Sequence, residues 1–129
     1  MKGAQISDLL GKTCTAVVKN PITAEEGIKF VLEDGTSYLM FHERDCCEHV
    51  YIEDICGDLE DLVGSPILQA EEVTNQDDDP PENTDFDQSY TWTFYKLATL
   101  KGAVTIRWFG TSNGYYGESV SFCQEAFVN

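Results

Sequence analysis

Both histidines of this 129-residue chain, His42 and His49, fall in one eight-residue stretch with Cys46 and Cys47, and Cys56 follows seven residues later. Imidazole and thiolate are the ligands zinc prefers, and a tetrahedral site needs four of them to converge. On an extended strand Cys47 and His49 project to one side. His42, Cys46, Cys47, His49 and Cys56 are therefore a candidate zinc set. Against it, the stretch has no C-x-x-C pair and no recognised knuckle spacing. The same residues offer a Cys–His nucleophile, but a reactive thiolate needs cationic neighbours, and here Asp45 and Glu48 flank the thiols. Packed cysteines beside solvated histidines and carboxylates are the simplest expectation.

A second candidate lies late in the chain. Arg107 and Trp108 adjoin in an apolar run, and Asn113, Tyr115 and Tyr116 follow. Arginine between aromatic rings can stack on a base and hold a phosphate, and the same composition anchors protein interfaces. Arg107, Trp108, Asn113, Tyr115 and Tyr116 are thus a candidate nucleotide-binding set. The competing expectation is a cross-strand core in which Arg107 pairs with an acidic neighbour.

The charge is uneven. Against 23 acidic residues stand 8 Lys and Arg, a net charge of −15. Residues 45–95 contain no Lys or Arg and hold 15 of the carboxylates, so that window carries the whole imbalance. Direct nucleic-acid binding, which rests on basic side chains neutralising phosphate, is excluded as an expectation. A basic protein partner is favoured. The densest acidic stretch, Asp77-Asp78-Asp79 with Glu82, Asp85 and Asp87, is the candidate partner-binding segment. It lacks periodicity, so 74–88 is expected to be a mobile acidic loop, and it lacks the spacing of a calcium loop. Carboxylate pairs such as Asp45 with Glu48 and Glu53 with Asp54 are too numerous to single out a hydrolytic pair. There is no phosphate-binding glycine loop, serine elbow or His-Glu-x-x-His pattern.

These residues need elements to hold them. Thr13–Lys19 is β-branched and ends at Asn20-Pro21. Ile28–Leu32 alternates, Asp34-Gly35 turns the chain, and Thr36–Phe41 returns: a hairpin. His49–Glu53 and Ile67–Val73 are strand candidates. Tyr90–Tyr95 and Val104–Phe109 alternate about a turn expected at Lys101-Gly102, and a last strand is expected within Tyr115–Phe122. Short helical turns are expected at 5–10, with Ser7 as cap, and at 58–64, where Asp58 caps and Gly64 stops. The rhythm is not βαβ. The fold class is mainly β (α+β): a curved antiparallel sheet or half-barrel of six to eight strands with one or two short helices, in a single domain over 1–129. No apolar run spans a membrane and the N-terminus has no signal-peptide core, so a cytoplasmic protein without disulfides is expected.

The stretch from Phe41 to Gly64, with His42 and Asp45-Cys46-Cys47-Glu48 at its centre, resembles a family of small bacteriophage proteins of unknown function. So do Trp92–Lys96 and Ile106–Val120, which contain Arg107-Trp108 and Asn113-Gly114-Tyr115-Tyr116. The resemblance implies a phage origin and a role in the cytosol of the infected bacterium, and it brings no catalytic residue. The leading expectation is a non-enzymatic accessory protein whose acidic surface binds and inhibits a basic host protein of defence or regulation. The alternatives are a sponge for a defence signalling nucleotide, which would use an oligomer interface or pocket, and a metal-dependent or Cys–His enzyme.

Overall fold

The computed structural model describes residues 2–21, 26–43, 48–76, 89–112 and 117–125. Among these described residues nine strands form two open antiparallel sheets. The strands are β1 (Lys2–Gly3), β2 (Cys14–Lys19), β3 (Gly27–Leu32), β4 (Ser37–Phe41), β5 (His49–Cys56), β6 (Gln69–Asn75), β7 (Ser89–Thr99), β8 (Gly102–Ser112) and β9 (Ser121–Gln124). The first sheet has the order β1-β9-β4-β3-β2 and the second β5-β8-β7-β6. Mainly antiparallel β structure is as the alternation predicts, but the strands divide between two sheets and do not form one curved layer. The chain crosses after β4 and again after β8, and β9 then pairs with β4.

Local chemistry explains the meanders. Asp34 Oδ1 accepts from the Thr36 backbone N–H at 2.9 Å, closing the β3–β4 turn around Gly35, whose φ is +89°. Hydrogen bonding from Thr36 holds the Asp34 carboxyl below its usual range. The β7–β8 hairpin turns at Leu100-Lys101, one residue earlier than expected, and Gly102 opens β8. A Cβ there would stand 2.7 Å from Asp61 Oδ2, so a larger residue would require that side chain to shift. That aspartate belongs to a 3-10 turn, η2 (Leu59–Leu62), where the Asp58 side chain accepts from Glu60 N as the sequence implied. The other turn, η1 (Ile6–Leu9), is capped from Gln5, not Ser7, with Asp8 returning a bond to the Gln5 N–H.

Alternation puts one face of each sheet against the other. Ile28, Phe30 and Met40 of the first sheet share a buried cluster with Ile52, Leu97, Val104, Ile106 and Trp108 of the second, and Leu9 and Leu62 from the two turns join it. The Trp108 indole N–H points across at Met40 Sδ, 3.2 Å away. Burial of roughly this many large side chains, each contributing about 1.5–3 kcal/mol, is what holds the sheets together.

Cys14 lies in the same core, and burial pushes its thiol from 9.0 up to about 11. The native protein thus keeps a proton that the unfolded chain releases above pH 9. This contribution is whole below pH 9 and is lost as pH rises towards 11, on the order of 2 kcal/mol. Urea unfolding at pH 8 and pH 10.5 should show that loss in the parent and a smaller one in Cys14→Ala. Equal losses in both would refute the assignment.

Candidate functional site

The two sides of the second sheet differ in character. On β8 Val104, Ile106 and Trp108 face the core, so Thr105, Arg107 and Phe109 face outward. Register sets Trp92 opposite Phe109 and Phe94 opposite Arg107 on β7, and Tyr51 opposite Phe109 and Asp54 opposite Arg107 on β5. The outer side therefore collects a second aromatic layer. Trp92 meets Phe109 edge-on with centroids 4.8 Å apart and stacks on Phe94 at 5.8 Å. Tyr90 and Tyr51 pack on Phe109 from either side, at 5.8 and 6.1 Å. Phe109 is fully buried and Trp92 is 4% exposed, while Tyr51, Tyr90 and Phe94 are half-buried around them.

Arg107 lies across this layer. Its guanidinium carbon is 5.0 Å from the Trp92 centroid and 5.8 Å from that of Phe94, both within cation–π range. Nη1 donates to Asp54 Oδ2 at 2.8 Å. A bulge between Ile52 and Asp54 makes this pairing available, because it re-aims Asp54 after two core-facing positions. Arg107 thus has the acidic cross-strand neighbour that its place in an apolar strand suggested. Trp108 points the other way into the core, so the two cannot grip one ligand from the same side. Asn113, Tyr115 and Tyr116 lie outside the described residues.

The histidines are placed apart. His42, just after β4, accommodates two partners: Nδ1–H donates to the Ser119 carbonyl at 2.8 Å, and Nε2 lies 2.9 Å from Glu48 Oε1. Glu48 is 1% exposed, and this contact joins the end of the first sheet to the start of the second. His49 begins β5 on the outer side and packs on Tyr51 at 5.0 Å. Cys56 ends the same strand, and seven residues of strand rise put it roughly 20 Å from His49. One ion cannot take both. Cys46 and Cys47 lie outside the described residues, and among the described residues no three His, Cys, Asp or Glu side chains group as metal ligands.

Of the acidic candidates, Asp77, Asp78, Asp79, Glu82, Asp85 and Asp87 lie outside the described residues, as does all of 77–88; at its start the expected 74–88 loop is corrected, because Thr74 and Asn75 belong to β6. Among the described carboxylates of the 45–95 window, several have structural partners. Glu72 accepts from the Tyr95 hydroxyl at 2.8 Å, and burial beside that carboxylate holds the phenol protonated far above its usual range. Sequence reasoning missed the outward parity of Trp92 and Phe109 and the Glu48–His42 contact. The first was readable from the alternation Phe94-Trp92 against Tyr95-Thr93. The second had no local signal.

The family described as "Domain of unknown function (DUF7448)" matches residues 7–122, and the chain belongs to it. No curated protein and no solved structure matches the chain. No helix is long and apolar enough to cross a membrane among the described residues.

Proposed function

We propose that this member of the DUF7448 family is a non-enzymatic phage accessory protein that binds and inhibits a basic host protein of defence or regulation. The observation that carries the reading is the second aromatic layer on the outer side of the four-stranded sheet. A β-sheet needs only one apolar face to fold, and rings with an arginine laid over them are the composition of interface anchors. Tyr51, Tyr90, Phe94 and Arg107 supply the contact that loses water on docking. The carboxylates of residues 45–95, Asp77-Asp78-Asp79 above all, supply the field that draws a cationic partner in.

Nucleotide capture would use the same Arg107, whose guanidinium already holds Asp54 and would have to exchange that carboxylate for a phosphate. Protein docking needs no such exchange. A thermal-shift screen with cyclic nucleotides separates the two, because a ligand held only by the native state raises the melting temperature.

The steering claim has its own test. Association of the captured host protein should slow steeply between low and physiological salt. The triple variant Asp77→Asn, Asp78→Asn, Asp79→Asn should reduce the association rate by about tenfold at low salt. An association rate that ignores both salt and the triple variant rejects the reading.

A further inference from the structure

The four-stranded sheet has two edges, and they are finished differently. On β5 the outward N–H of Ile52 donates to Glu26 Oε1 at 2.8 Å, so the side chain of the residue just before β3 caps that edge. On β6 the near end is also closed, since Ile67 N donates to Lys12 O and Gly11 N to Ile67 O. Beyond it the strand runs on as an edge, with 71–74 exposed.

Parity shows which backbone groups that edge offers. Ala98 turns its carbonyl towards β6, accepting from Leu68 N at 2.8 Å. Alternation along β7 then makes Glu71↔Lys96 and Val73↔Phe94 the pairs that exchange ladder bonds. The N–H and C=O of Glu72 and Thr74 consequently point away from the sheet. Among the described residues, none bonds to them. Natural edges carry charge to deter pairing, and two copies of β6 side by side would set glutamates against glutamates. The same charge that opposes self-pairing suits a strand bearing lysine or arginine.

We propose that the edge of β6 from Glu72 to Thr74 takes an extended basic segment of the partner protein as an added strand. This rests on the docking reading above and gives it a geometry. Main-chain bonds to Glu72 and Thr74 would supply register, and cationic side chains would lie beside Glu71 and Glu72 on opposite faces. An apolar side chain would lie beside Val73, which is 40% exposed and stands next to Phe94, so that the added strand prolongs the outer aromatic layer.

Amide hydrogen exchange on the full chain tests this with a capped peptide of about eight residues, two adjacent lysines among valines and threonines. Without peptide, the Glu72 and Thr74 amides should exchange about a hundredfold faster than those of Glu71 and Val73. At saturating peptide they should slow at least about tenfold, and a peptide with glutamates in place of the lysines should leave them fast. Thr74→Pro removes only an outward donor, so it should keep the melting temperature and abolish the slowing at Glu72. Protection of Glu72 and Thr74 before any peptide is added overturns the proposal, whether or not it grows with protein concentration. Fast exchange in the presence of the lysine peptide overturns it too. In that case salt-dependent association that the aspartate triple variant weakens would leave the docking reading standing without this edge.

Discussion

Trp108→Ala is expected to destabilise the protein by about 3–5 kcal/mol, a large part of the roughly 5–15 kcal/mol that holds a domain folded. Trp108 is fully buried, and it is the side chain through which β8 of one sheet reaches Met40 on β4 of the other. Truncation removes the transfer energy of an indole and leaves a void between two sheets that cannot collapse on it, because each is fixed by its own ladder. Trp108→Phe keeps most of the volume and forfeits the N–H contact to sulfur, so its cost should be nearer 1–2 kcal/mol. Urea unfolding followed by far-ultraviolet circular dichroism checks both, independently of indole fluorescence. The midpoint should fall with the slope unchanged, since the surface exposed on unfolding is nearly the same. A Trp108→Ala midpoint equal to the parent's would mean that the sheets do not share a core at this point.

That contact also shows what a sequence can and cannot reveal. The alternation Val104-Ile106-Trp108 against Thr105-Arg107-Phe109 assigns sides by period alone, and the Asp34-Gly35 turn announces the β3–β4 hairpin, because both signals are local. The partition into two sheets is not local. β9 joins β4 and β1 through residues far away in the chain, and nothing in Ser121–Gln124 names its partners. The last strand is accordingly expected within Tyr115–Phe122, whereas residues 117–120 have no strand structure and β9 spans Ser121–Gln124. From sequence β5 is expected at His49–Glu53 only. The bulge absorbs Glu53, Asp54 pairs with Arg107, and the strand continues to Cys56. Arg107 was legible as a residue needing a carboxylate, but its choice of Asp54 depends on that same bulge. The Cys/His stretch drew attention as ligands. What it shows instead, in the described residues, is one histidine holding the sheets at their crossing and another lying on the outer aromatic side.

The histidine at the crossing should be the second most sensitive position. Ser119 offers His42 a carbonyl, which only accepts, so Nδ1 must carry hydrogen. The 2.9 Å contact of Nε2 with Glu48 then needs one more proton between them, on the ring or on the carboxyl. This contact is one of those that accommodate a carboxyl that is 1% exposed. His42→Ala takes one partner from the buried Glu48 carboxyl and the donor from the Ser119 carbonyl, at a cost of about 2–4 kcal/mol. Glu48→Gln keeps shape and offers an amide donor to Nε2 of a neutral ring, so its cost should stay near 1 kcal/mol. The double variant His42→Ala, Glu48→Gln should then cost less than the sum of the two single variants, because both remove the same contact. A simple cavity at position 42 would leave the two costs additive, and a cost below about 1 kcal/mol for His42→Ala would place the crossing's stability elsewhere. Since β4 and β5 enter different sheets from this point, loosening it should also raise amide exchange at the start of β5, Val50 first, ahead of the β7–β8 ladder.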